Sequence, residues 1–220
     1  MHGPFHFPVY TRGERIADLA VHVTGVGAGA VGVAVLLALA FPAATAGTLA
    51  SLLLYSAGLL AMLSFSALYN LTVTPRRKEI LRRLDHSAIY LMIAGTYTPF
   101  ALKIGGMQGI VLLSVLWGVA ALGIALKLLR PRRGDGLSLV LYLAMGWSML
   151  FALRPLIDAV TASVLVLLMA GGIVYTLGVV FHLWQRLRFN NAIWHLCVLA
   201  GAACHYAAVL NALVLHPAVG

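Results

Sequence analysis

Apolar runs of roughly 20 residues recur along the chain with short charged clusters between them, and no other feature restricts the fold as much. A helix of that length spans the hydrocarbon core of a bilayer and satisfies its own backbone polar groups. The runs lack period-two alternation, so helices are indicated and a barrel is not. Seven runs are visible, at about 19–41, 48–68, 86–102, 109–129, 137–153, 161–183 and 191–213. Pro42 and Gly47 mark one tight turn, and a loop is expected around Pro155 and Asp158. The predicted class is all-α, a seven-transmembrane-helix bundle in which residues 1–220 form a single integral membrane domain.

Composition agrees, because 62% hydrophobic and 10% charged residues leave too little polar surface to cover a wetted domain. Fifteen basic against six acidic residues give a net charge of +9, which in a soluble chain would suggest nucleic acid. The loop-by-loop distribution excludes that reading. With the N-terminus in the cytoplasm, thirteen of the fifteen basic residues fall inside, Arg132 and Arg133 among them, and only Lys103 and Arg154 fall outside. This positive-inside bias predicts an inner N-terminus and an outer C-terminus. The most polar stretch, TPRRKEILRRLD at Thr74–Asp85, is expected to be a short amphipathic helix on an anionic membrane surface. The first apolar run is longer than a signal-peptide core and more runs follow, so it is expected to be a true span. Cys197 and Cys204 stand two helical turns apart, too far for a disulfide, and read as small core residues.

Gly25, Gly27, Gly29 and Gly32 loosely imitate a dinucleotide-binding loop, but they lie inside an apolar run, where small residues serve close helix packing. More informative are polar residues that do not belong in lipid. Ser66 and Asn70 are one turn apart in the second run, Asp85 and His86 open the third, and Asn191 and His195 are one turn apart in the seventh. The topology places them near the cytosolic ends of their helices. His22 and His182 are able to join that layer, whereas His205 lies about 15 Å further along its helix than His195. Individually, such groups can cap a helix, as Asp85 could at the start of the third run, or face headgroups. Together they resemble the way helical bundles hold a metal. Asn is a poor zinc ligand, however, and two of the four principal positions are Asn.

The segments FSALYN (Phe65–Asn70), LDHSAIYLMIAGTYTPF (Leu84–Phe100), LYLAMGW (Leu141–Trp147), GGIVYTLGVVFH (Gly171–His182) and NAIWHLCVLAGAACHY (Asn191–Tyr206) together resemble the bacterial haemolysin III family, related to the progestin and adiponectin receptors. GERIADLAVHVTG at Gly13–Gly25 matches the family's usual opening. The resemblance implies a multi-pass protein of the bacterial inner membrane with seven helices and the N-terminus inside. It also implies a cytosolic-side zinc site, with Ser66, Asp85 and His195 at matching positions. Asn70 and Asn191 stand where the family has His, so the expectation is a degenerate site that binds zinc weakly or not at all. His22, His86 and His182 are possible substitutes.

The leading expectation is therefore a haemolysin III-like membrane protein acting in lipid homeostasis or cytolysis, enzymatic weakly or not at all. The alternative is a zinc-dependent lipid amide hydrolase, an activity associated with the receptor relatives, in which His195 is a ligand and Asp85, with Ser66 nearby, activates water. A channel or small-solute carrier is disfavoured, since no broken helices, paired repeats or ring of charged pore residues can be read. The expected partners are membrane lipids, with no nucleic acid and no soluble protein partner implied. Asn70 and Asn191, as buried amides beside a carboxylate, are expected to hydrogen-bond to Asp85 or His195.

Overall fold

The computed structural model describes residues 10–130 and 134–216, and Arg132 and Arg133 of the charge count lie outside them. The chain is all-α: α1 (Arg12–Ala40), α2 (Ala46–Leu71), α3 (Pro75–Ile104), α4 (Gly106–Leu129), α5 (Asp135–Trp147), a 3₁₀ turn (Ser148–Ala152), α6 (Leu153–Ala159), α7 (Ala162–Leu183) and α8 (Asn190–Leu210), which ends in a π turn (Asn211–Leu215). Six helical segments are long and apolar enough to cross a membrane, α5 through α6 counting as one. The other long helix, α3, carries the basic stretch in its first half.

Three boundaries depart from expectation, each for a local reason. Helix α1 begins at Arg12, seven residues before the apolar run, because Thr11 and Glu14 form a reciprocal capping box. Residues Arg12–Asp18 are therefore helical, and Asp18 is buried rather than interfacial. The stretch Thr74–Asp85 is no separate surface helix. It continues into the apolar run as α3, since neither Gly nor Pro interrupts it between Pro75 and Gly95, and Asp85 sits within the helix instead of capping it. Pro155 and Asp158, expected in a loop, lie in α6, and the break falls earlier, at the 3₁₀ turn.

Helix α2 packs on α3, α7 on α8, α3 on α4, and α1 on both α2 and α8. The α2–α3 crossing is backbone against backbone. A Cβ at Gly58 would come within 3.0 Å of Met92 Cα, and one at Gly95 within 3.0 Å of Leu54 O. Such close approach replaces hydrophobic driving force where lipid, not water, is the competing solvent. Of Gly25, Gly27, Gly29 and Gly32 on α1, three also face neighbours: Gly25 meets Leu199, Gly29 meets Leu63 and Gly32 meets Tyr206.

At the basic end of the bundle, Asp135 gathers Lys127 Nζ at 2.6 Å, Arg82 Nη1 at 3.1 Å and His86 Nδ1 at 3.8 Å. Lys127 is fully buried, so this carboxylate is the counter-charge that makes its burial tolerable and ties α3, α4 and α5 together.

Candidate metal centre

Helices α1 and α8 begin side by side. The Phe189 N–H, just before α8, donates to Glu14 Oε1 at 3.1 Å, and Phe189 adopts φ 63° to enter the helix. From that anchor the two helices run in the same direction, with Gly25 against Leu199 and the Tyr206 hydroxyl donating to Gly32 O at 2.8 Å. Glu14, Asp18 and His22 recur every four residues and form one stripe on α1, while Asn191 and His195 form its counterpart on α8.

Where the stripes meet, Asp18, His22 and His195 converge, all three buried, with one ligand atom from each lying within 4.8 Å of the others. His195 Nδ1 lies 2.6 Å from Asp18 Oδ1, and His22 Nε2 lies 3.5 Å from Asp18 Oδ2. The imidazole centroids are 4.3 Å apart at an interplanar angle of 53°. Asn70 Nδ2 donates to Ser66 O at 2.9 Å, which fixes the amide's orientation, and reaches His195 Nε2 at 3.5 Å. Asn191 Nδ2 in turn donates to Asn70 Oδ1 at 3.3 Å. A donor facing Nε2 leaves the proton on Nδ1, so His195 donates to the Asp18 carboxylate.

This geometry overturns the expectation of a degenerate site weakened by Asn70 and Asn191. The ligand-type residues are an intact Asp/His/His group, two of them supplied by α1. The asparagines are hydrogen-bonding neighbours of that group. Asn70 contacts His195 directly, whereas Asn191 reaches it only through Asn70. The donor set fits zinc, since two imidazoles and a carboxylate with a fourth position open are the ligands of a hydrolytic zinc centre. An orphaned atom points the same way: His22 Nε2 is buried without a hydrogen-bond partner. The 2.6 Å contact is shorter than the spacing of about 3.4 Å between two ligands of a tetrahedral zinc ion, so here it is the hydrogen bond that His195 donates to Asp18.

The remaining predicted residues divide into two sets. Ser66 and Asp85 join His22 and His195 in lining a cavity of about 170 Å³, and the Ser66 hydroxyl faces the Asp85 carboxylate. His86 turns away toward Asp135, and its carbonyl accepts from the Tyr142 hydroxyl at 2.8 Å. His182 packs against Trp194 with ring centroids 5.1 Å apart and the planes tilted by 45°. His205 lies deep in the bundle, 3.4 Å from Leu168 O. Sequence reasoning misses Asp18, because the first apolar run begins at about 19 and leaves it just outside. The signal that would have found it is the one applied to α2 and α8, a pair of ligand-type residues one turn apart, here Asp18 and His22.

The sequence matches the family described as "Haemolysin-III related" over residues 15–206. It is 38% identical to hemolysin-3 of Bacillus cereus over 198 residues, 90% of each chain. It is 36% identical to a hemolysin-3 homolog of Bacillus subtilis (strain 168) over 210 residues, 95% of this chain and 99% of that one. Identity with the human monocyte to macrophage differentiation factor is 30% over 173 residues, 74% of this chain and 71% of that protein. With these matches and its long apolar helices, the chain is a multi-pass membrane protein that belongs to the haemolysin III family.

Proposed function

We propose that the protein is a zinc-dependent hydrolase of a lipid amide, built on seven spans with the N-terminus inside and the C-terminus outside. The observation that carries the reading is the buried Asp18, His22 and His195 group at one end of a mostly apolar cavity. Buried ionisable groups inside a membrane bundle are costly and mark function. Here they stand beside a space suited to hydrocarbon rather than water.

When bound by these residues, zinc supplies Lewis acidity toward a carbonyl oxygen and makes a neighbouring water more acidic. The chain's own residues do the rest. Asp18 completes the ligand group and supplies the negative charge that favours a cation. Asp85, lining the same cavity with Ser66 beside it, accepts the water proton and passes it to the leaving amine. The apolar walls hold the acyl chain and keep bulk water from the reacting carbonyl.

The parallel start of α1 and α8 supports the topology. An even number of crossings must separate them, which α1 through α4, the broken α5–α6 helix and α7 provide if α3 also crosses. A periplasm-dependent reporter enzyme fused after Gly220 should then be active, and inactivity there would reject the seven-span arrangement. The chemistry is tested with protein purified without chelators, scored for bound zinc and for fatty-acid release from a long-chain N-acyl amide. About one zinc per chain is expected, with turnover lost on chelation and restored by zinc. An Asp85→Asn variant that keeps its zinc and wild-type turnover would sink the assigned role of Asp85. Zinc-free wild-type protein would sink the hydrolase reading.

A further inference from the structure

Two cavities lie end to end in the bundle. The first, about 170 Å³, touches the metal centre through His22 and His195. The second, about 130 Å³, continues past it to Phe100 on α3, Leu156 on α6 and Leu165 on α7. Thr96, Tyr97, Gly146, Trp147, Gly172 and His205 line both, and so form a waist between two chambers.

The waist exists because the fifth helix breaks there. Helix α5 ends at Trp147 and passes into the 3₁₀ turn. The Tyr97 hydroxyl spans the break, donating to Gly146 O at 2.7 Å and accepting from the Met149 N–H at 3.0 Å. Trp147 Nε1 donates to Thr176 Oγ1 at 3.1 Å, and the Thr96 hydroxyl donates to Met92 O at 2.8 Å. His205 Nε2 meets Leu168 O at 3.4 Å. The polar groups of the waist thus bond within the protein, which suits the passage of hydrocarbon and offers little to a hydrated solute. Gly146 lines both chambers and is exposed, so a Cβ there would meet no protein atom within 4 Å.

Helix rise converts positions into lengths. Asp85 and Thr96 are eleven residues apart on α3, or about 16 Å. With carbon–carbon bonds of about 1.5 Å in a zigzag, that distance holds roughly twelve methylenes. On α7 the second chamber extends from Gly172 to Leu165, about 10 Å more, or roughly eight further carbons.

Taking up the lipid chemistry proposed for the same site, we propose that the two chambers form one acyl-chain ruler. The first holds about twelve carbons, the second receives up to about eight more of a linear chain, and the opening at Gly146 sets which lengths are retained. Gly146→Leu fills the waist from a helical position and confines the chain to the first chamber.

The test incubates purified full-length protein with an equimolar mixture of saturated fatty acids of 10 to 18 carbons, then extracts and quantifies what remains bound. The readout is the ratio of the 16-carbon to the 12-carbon acid, in which partition into detergent cancels between variants. The ratio should fall at least tenfold in Gly146→Leu and about threefold in Gly146→Ala, whose methyl enters open space and decides the matter if the leucine variant does not fold. Ratios within twofold of wild type in the folded variants, or a wild-type protein that retains no fatty acid, overturn the proposal. A ratio that falls in Gly146→Leu while wild-type protein hydrolyses nothing would uphold the ruler and reject the hydrolase.

Discussion

Replacing Asp18 by Asn tests the metal centre most sharply, because it removes one charge at almost constant volume. In wild-type protein this carboxylate lies 2.6 Å from His195 Nδ1 and 3.5 Å from His22 Nε2, and all three residues are buried. A hydrogen bond to a charged group contributes about 1.5–3 kcal/mol. At 1.4 kcal/mol per decade, losing one charge-assisted contact of that size to the dication corresponds to roughly 10- to 150-fold in affinity. Asp18 is also the sole acidic member of the ligand group, so its loss removes an anionic ligand and leaves two imidazoles to bind a dication. The zinc affinity of Asp18→Asn should therefore fall at least about 100-fold. The introduced amide still accepts the His195 proton, so metal-free thermal stability should change by only about 1 kcal/mol. Titration against a chromophoric chelator gives the affinity, and thermal unfolding of the metal-free protein in detergent gives the stability. A variant whose zinc affinity stays within twofold of wild type while its stability drops would show Asp18 to be a structural partner of His195, and the reasoning would fail.

Three further outcomes follow from the packing. Asn70→Ala removes the donor facing the His195 Nε2 lone pair and should leave zinc affinity at or above wild type in the same titration, and a fall of more than about tenfold would contradict the assigned tautomer. Gly95→Leu forces α3 off α2, where a Cβ already reaches 3.0 Å from Leu54 O; a loss of about 3 kcal/mol should appear in thermal unfolding, and a stability equal to wild type would contradict the backbone contact. Tyr97→Phe strands the Met149 N–H and frees Gly146 O in the helix break, costing about 1–3 kcal/mol by the same measurement.

Much of the fold was legible in the chain. Segments that must satisfy their backbone inside hydrocarbon coil as helices wherever about 20 apolar residues run together, and helical spacing with the family pattern singled out Ser66, Asp85 and His195, which line one cavity in the structure. Helix ends were less legible. Hydropathy registers the change from apolar to polar residues, but α1 starts where the Thr11–Glu14 capping box satisfies its first amides, so Asp18 belongs to the helix and not to the loop before it. The same limit hid the continuity of α3 and moved the break in the fifth helix away from Pro155.

The membership of the metal centre was decided by tertiary structure. Asp18 and His195 are 177 residues apart, and their meeting depends on α1 lying beside α8, an adjacency that no local spacing encodes. With the helices assigned but their neighbours unknown, Asn70 and Asn191 stood for two lost ligands. Packing α1 against α8 instead places Asp18 and His22 beside His195 and leaves both asparagines in supporting hydrogen bonds. Composition and hydropathy by themselves determined a helical membrane protein, because the bilayer's demand on backbone polar groups acts on each segment separately. Which ligands share a site depends on which helices touch, and that is set by small residues and side-chain shapes across the whole bundle.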